Sequence, residues 1–417
     1  MTLVTSNPFS VRVRPRGAPV ASFQLSSPTG GTNLPYSLGH AFKQGAVPAN
    51  VQLIADIGAL QVSGKNWWPD GSLKFAVVAG RADLVANAAR TVTLSLGTPL
   101  ASPNLTTADL RASGVTAATS ADAFGTASWA GADWDAPFHS WISGPQMSSW
   151  VYRKPIGSDA HLVAWLEVRL FLGGAVEVLP WVENGYLNVA GPTNKNAQYA
   201  FTLGATERFR ASFDLANHCR TVLIAGARFS YWLGADPQAL ATPGKAYLQA
   251  THLVPAYGAS VPDTANVLAT TSQTYTPLQQ GKFSAAMGMT GFAPAIGLLP
   301  EWDVVYLTSN AAAAYAGVIT HGYGAGRYGI HFRDEKTQRP LLFSSYPNLA
   351  VNSGGSNGIA DVGGSSKNIV TPLSQGTVPP TWDTPHHPSI GFMAYLVTGR
   401  FYFMEEAQFS ATVGFLK

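Results

Sequence analysis

Three clusters of ionisable and aromatic residues lie near predicted helix ends in the last third of the chain. Glu301-Trp302-Asp303 opens a helical run, His331-Phe332-Arg333-Asp334-Glu335-Lys336 follows it in a turn region, and Asp383 with His386-His387 precedes a closing hairpin. Arg327, Tyr323 and Tyr328 fall between them. Were the loops at one end of these helices to converge, carboxylates, imidazoles, guanidinium groups and rings would share one groove. That mixture suits a uronic-acid sugar. Arg333 would neutralise the carboxylate, His386, His387 or Tyr328 would take the proton beside it, and an acid such as Asp334 would protonate the leaving oxygen. Glu301, Trp302, His331, Arg327 and Asp383 would line the groove and hold the substrate. A carboxylate pair, Glu301 with Asp334 or Glu335, would instead serve glycoside hydrolysis. The competing reading makes all of these helix caps and ion pairs, with Arg333 to Lys336 a solvated turn.

Other motifs carry less. Gly354-Gly-Ser-Asn-Gly358 has the serine-hydrolase spacing but sits in a Gly/Ser-rich loop, not on a strand-to-helix elbow. Gly324-Ala-Gly-Arg-Tyr-Gly329 follows a helix where a dinucleotide site requires a strand. Adjacent His386 and His387 point apart on any regular element, so no metal or other cofactor is expected. Trp67, Trp68, Trp181 and Trp232 could stack on sugars, although single aromatics on strands more often fill a core.

The 417 residues have room for two or three domains. A 46% hydrophobic content with 12% charged residues, 42 Gly and 28 Pro excludes a disordered chain and suits a β-rich surface or virion protein. Net charge of +3 without a basic block argues against nucleic acid as a partner. Cys219 is the single cysteine, so no disulfide can form within the chain. No apolar run reaches the roughly 20 residues of a membrane span, and Met1-Thr-Leu-Val-Thr-Ser-Asn shows no secretory pattern.

The elements that must position these groups begin with short strands over residues 1–100. They include Phe9 to Arg14, Val51 to Ile57, and a turn at Pro69-Asp70-Gly71 leading to Leu73, Phe75 and Val77 on one face. Residues 101–135 read as an exposed insertion, and 136–237 as a second β block of barrel or sandwich type. In that block Leu162, Ala164, Leu166, Val168 and Leu170 alternate. Residues 238–300 read as a linker with a short helix. A single helix is expected from about Pro300 to Ile319, a long loop over 345–380, and then the hairpin with Ser389 as N-cap and Gly399 as stop. Phe392, Tyr395 and Leu396, then Met404, Phe409, Val413 and Leu416, form the expected apolar faces.

Several segments resemble the exo-rhamnogalacturonan lyase/YetA-like family: Pro35 to Pro48, Trp68 to Ala76, Pro294 to Asp303, His331 to Thr337 and His386 to Ala411, in that order along the chain. The resemblance implies a RIFT-type β-barrel followed by an (α/α)6 toroid with a carbohydrate groove; 301–417 would be an incomplete toroid. It also implies a phage-type member. The expected protein is therefore carbohydrate-directed, binding or cleaving an acidic polysaccharide as a tail component at the host surface, in a virion or outside the cell. Other virion proteins or further copies of the chain are the expected protein partners. Cleavage is expected only if the helical part continues past Lys417. The alternative is a purely structural virion protein.

Overall fold

The structure is a computed structural model. It describes residues 17–258, 264–283, 294, 296–309, 311–347, 349–351, 369–370, 379–380, 382 and 390–416. The chain is mainly β, with antiparallel sheets, and divides into two compact units: 1–102 with 238–254, and 103–237 with 255–417. The predicted strand Phe9 to Arg14 lies outside the described residues.

In the first unit β1 (Pro19–Ser26), β2 (Gly31–Ala41), β3 (Leu53–Ala55), β4 (Leu60–Trp67), β5 (Leu73–Leu84) and β6 (Arg90–Leu96) form two sheets. Alternation sets which side faces inward. Phe23 and Leu25 on β1, with Val92, Leu94 and Leu96 on β6, point into one core with Tyr36, Leu38 and Val78. β5 runs between β2 and β4 and is buried at most positions. The expected turn forms: Gly71 adopts φ +79° and Asp70 Oδ1 accepts from the Ser72 amide at 3.0 Å. Residues 238–254 correct the linker reading. Leu240–Pro243 pairs with β1, and the short helix Lys245–Gln249 follows it into the same unit.

The second unit opens with a correction as well. Residues 101–135 were expected to be exposed, yet they contain β7 (Ala117–Ala121) and β8 (Gly125–Trp129). β7 pairs with β13 (Lys195–Leu203), next to β14 (Thr206–Leu215), and Trp129 and Trp134 are buried. The larger sheet joins β9 (His139–Ile142), β10 (Met147–Pro155), β11 (Val163–Phe171), β12 (Val176–Glu183), β15 (Arg220–Val222) and β16 (Tyr231–Trp232). Leu166, Val168 and Leu170 on β11 are buried, as alternation predicts; so are Trp165, Glu167 and Arg169 on its other side.

The single helix expected from Pro300 is two, Glu301–Thr308 and Ala312–Gly324, because Ser309 turns to extended φ −113°, ψ 159°. The closing hairpin forms from Phe392–Thr398 and Phe401–Leu416, with Gly399 left-handed at φ +62° between them. Of the expected apolar faces Leu396, Phe409 and Val413 are buried, whereas Phe392, Tyr395 and Met404 are only half-buried; Met393, Ala394 and Val397 on the first helix, and Phe401, Tyr402, Phe403, Glu405 and Glu406 on the second, are buried as well. Ser389, the expected N-cap, lies outside the described residues.

Candidate functional site

The residues singled out by sequence separate into two environments. Arg333 is 1% exposed. Its Nη2 donates to Glu183 on β12 at 2.8 Å and to Glu405 of the closing helix at 2.9 Å, while Nη1 donates to Glu405 at 2.9 Å. Arg220, at the start of β15, binds Glu406 at 2.6 Å and Glu405 at 3.2 Å. His331 contacts Glu406 through Nε2 at 3.0 Å, and its Nδ1 faces the carbonyls of Tyr328 at 3.0 Å and His218 at 3.2 Å. Burial opposes ionisation of Glu406, but His331 and Arg220 outweigh it and hold the carboxyl at about 2. The Arg333 guanidinium also lies 4.3 Å over Trp165.

A second buried cluster fixes the hairpin at its bend. Arg400 pairs with Glu177 on β12, Arg169 with Glu167 at 2.8 Å, and Glu167 accepts from the Phe401 amide at 3.1 Å. That carboxylate caps the closing helix from a neighbouring strand. Burial favours the neutral acid at Glu177, yet Arg400 and Arg169 depress its pKa.

The remaining candidates are dispersed. Tyr328 is buried edge-on to Trp382 at 5.2 Å, and Trp302 stacks on His321 at 4.2 Å. Glu301 binds Lys282 at 2.7 Å, and the Arg327 carbonyl faces the Cys219 thiol at 3.1 Å. Asp303 is 2% exposed and burial raises its pKa well above the usual carboxylate value. His386, His387 and Asp383 lie outside the described residues, as does the Gly354 to Gly358 motif. Arg333 and His331 are thus paired inside the protein, where a neutraliser of substrate charge would have to meet solvent.

Above the Arg333 cluster the surface opens into a groove of about 380 Å³. One wall is the loop 334–342. Arg333 fastens it from below by donating Nη1 to the Gln338 carbonyl at 2.7 Å, and Gln338 takes a left-handed φ of +60° to close the turn. Asp334 is committed to the same turn. Burial would raise its pKa, but hydrogen bonds from the Lys336 amide at 2.8 Å and from Thr337 at 3.0 Å hold it below the usual value. The loop then presents Arg339 outward, its guanidinium 5.2 Å over Phe138. No carboxylate pairs with Arg339 among the described residues.

The opposite wall is one face of the closing helix: Gln408, Ala411, Thr412 and Phe415, spaced by three or four residues. Glu406, Phe409 and Val413, buried on the opposite side, set the rotation that exposes them. Thr412 Oγ1 donates to the Leu341 carbonyl at 3.0 Å and ties the walls together. Phe415 is 75% and Leu342 67% exposed. The groove therefore combines an open guanidinium, a primary amide and apolar platforms, a set that can hold an anionic ligand with one apolar face. Of the predicted site residues that fall among the described ones, only Asp334 lines it. Arg339, Gln408 and Phe415 went unread; Arg339 lies just past the quoted His331 to Thr337 segment, whereas the helix gives no local sign of which side faces out.

Among the described residues no group of His, Cys, Asp or Glu is arranged to hold a metal ion. Among the same residues no helix is long and apolar enough to cross a membrane. Compared with known proteins, the sequence matches no family model and no curated protein.

Proposed function

We propose that this protein is carbohydrate-directed and binds an acidic, uronate-containing polysaccharide in the groove between loop 334–342 and the closing helix. The observation that carries the reading is the Arg339 guanidinium, open to solvent at one end of a groove whose other wall exposes the Phe415 ring. A planar guanidinium meets a carboxylate through two parallel hydrogen bonds, and an aromatic face covers the apolar side of a sugar. In this reading Arg339 takes the role that the sequence suggested for Arg333. The ancestry is lyase-like, with a RIFT-type front unit and a helical region resembling the start of a toroid, in a phage tail component that meets the host surface. Binding is the activity that the groove supports. β-Elimination would further require a base, for which His386 and His387 are the sequence candidates.

Affinity electrophoresis in gels containing polygalacturonate tests this. Native protein should be retarded, Arg339→Ala should lose about tenfold in affinity, and added salt should weaken the native interaction. Unchanged retardation in Arg339→Ala would remove the groove from the reading. Release of an unsaturated-uronate absorbance would add cleavage to binding.

A second reading is a structural virion protein without saccharide binding. It is favoured by the use of Glu183, Arg220, Arg333, Glu405 and Glu406 to fasten the closing helix inside the protein. Absence of retardation by any polysaccharide would select it.

A further inference from the structure

We propose that the first unit carries a separate saccharide site, a shallow pocket beside Trp67 that receives the face of a neutral sugar ring. Trp67 and Trp68 adjoin in sequence but have opposite fates. Trp68 donates its indole N–H to the Phe42 carbonyl at 2.9 Å and has Lys74 4.7 Å over its ring. Trp67, at the end of edge strand β4, is 57% exposed. Its ring is held against backbone because residue 64 is glycine: a Cβ there would stand 2.9 Å from Trp67 Cζ2 and 3.2 Å from Leu73 Cδ1.

The facing wall is the loop 47–52, anchored by hydrogen bonds from the Leu73 amide to the Val47 carbonyl at 2.9 Å and from the Gly97 amide to the Gln52 carbonyl at 2.9 Å. Asn50 and Gln52 are exposed on it, and among the described residues neither side-chain amide has a hydrogen-bond partner. The pocket measures about 210 Å³, below the roughly 300 Å³ at which sites for larger ligands begin, so it suits one ring. No ionisable side chain lines it. A uronate carboxylate would be desolvated there without a counter-charge. A neutral ring meets an indole face on one side and two amides, each offering donor and acceptor to a hydroxyl pair, on the other.

Affinity electrophoresis of the full chain against dextran, a neutral galactan and polygalacturonate, with sedimentation velocity beside it, decides the matter. At least one neutral polymer should retard the native protein. Trp67→Ala should lose about tenfold or more and Gln52→Ala severalfold, whereas Gly64→Ala, which displaces the ring, should weaken retardation with Trp67 still present. Arg339→Ala should leave retardation by the neutral polymer unchanged, which separates this site from the groove of the second unit. Retardation by polygalacturonate alone, or by no polymer, would overturn the proposal, as would neutral-polymer binding that survives in Trp67→Ala. A concentration-dependent dimer abolished by Trp67→Ala, without saccharide retardation, would assign the surface to a second copy of the chain. Trp67 is exposed, so an unchanged melting temperature is expected for its alanine variant and checks that lost binding is local.

Discussion

The two units bury their interiors by different means. The first packs Phe23, Leu38, Val78, Leu94 and their neighbours into an apolar core. Its buried titratable group His40 sits among Phe23, Phe42 and Tyr247, and burial lowers its pKa to about 4. The second unit covers one side of its large sheet with charge: Glu167, Arg169, Glu177 and Glu183 point into the protein and meet Arg220, Arg333, Arg400, Glu405 and Glu406. An apolar core is tolerant of register and partner, since any well-fitting hydrocarbon serves. A buried ion cluster is not, because each charge is costly unless its own partner arrives. Paired charges therefore hold the closing helix of the second unit in one rotation and so present Gln408 and Phe415 to the groove.

Removing one partner of the buried ion cluster is expected to have the largest effect. Arg333→Met leaves Glu183 and Glu405 without their shared guanidinium and should cost about 3–5 kcal/mol in chemical denaturation. Leu38→Ala in the first unit should cost about 2–5 kcal/mol through an unfilled cavity. The two respond differently to compensation. Adding Glu183→Gln and Glu405→Gln to Arg333→Met should restore part of the loss, because the stranded charges go with it. Failure to recover would mean that the cluster acts through shape and not through charge balance.

Acid titration sharpens the contrast. His40 has a folded-state pKa depressed from the usual 6.5 to about 4. Its contribution is present above pH 6.5 and is lost as pH falls toward 4, since the unfolded chain takes the proton first. His40→Phe should flatten that limb. Glu406 is depressed from 4.5 to about 2, so its contribution is full above 4.5 and disappears only as pH falls through that lower window. His218 and His321, also lowered to about 4 by burial, add to the upper limb from the second unit. Glu406→Gln should therefore alter the acid limb below pH 4.5 and leave its upper part in place. The smallest expected effect on stability is that of Arg339→Ala, within about 0.5 kcal/mol, in the same variant that loses polysaccharide affinity.

Much of the β organisation was legible. Alternation in Leu162 to Leu170 marked β11 and its apolar face, Pro69-Asp70-Gly71 marked a turn, and Gly399 marked the bend of the hairpin. The break at Ser309 was not legible, because the apolar spacing from Val304 to Val318 continues across it. The buried face of the closing helix was read only in part: Phe409 and Val413 were expected on it, Glu405 and Glu406 were not. Glu405 and Glu406 read as a solvent-facing pair in any local window, and only partners from distant segments, Arg220 and Arg333 for Glu405 and Arg220 and His331 for Glu406, make their burial tolerable. The same holds for the candidate site. Arg333 and Arg339 are equally good guanidinium donors in sequence, and position alone makes the first a buried fastener and the second an exposed group.

Local sequence was enough for the strands with clear alternation, the turn residues and the hairpin bend, because propensity and periodicity act over a few neighbours; it was not enough for β7, β8 or Leu240–Pro243, whose partners lie far along the chain. Only the tertiary structure decided which charges are enclosed and which meet solvent. That choice depends on partners brought together from distant segments, and the energy of an ion in a protein is set by what surrounds it.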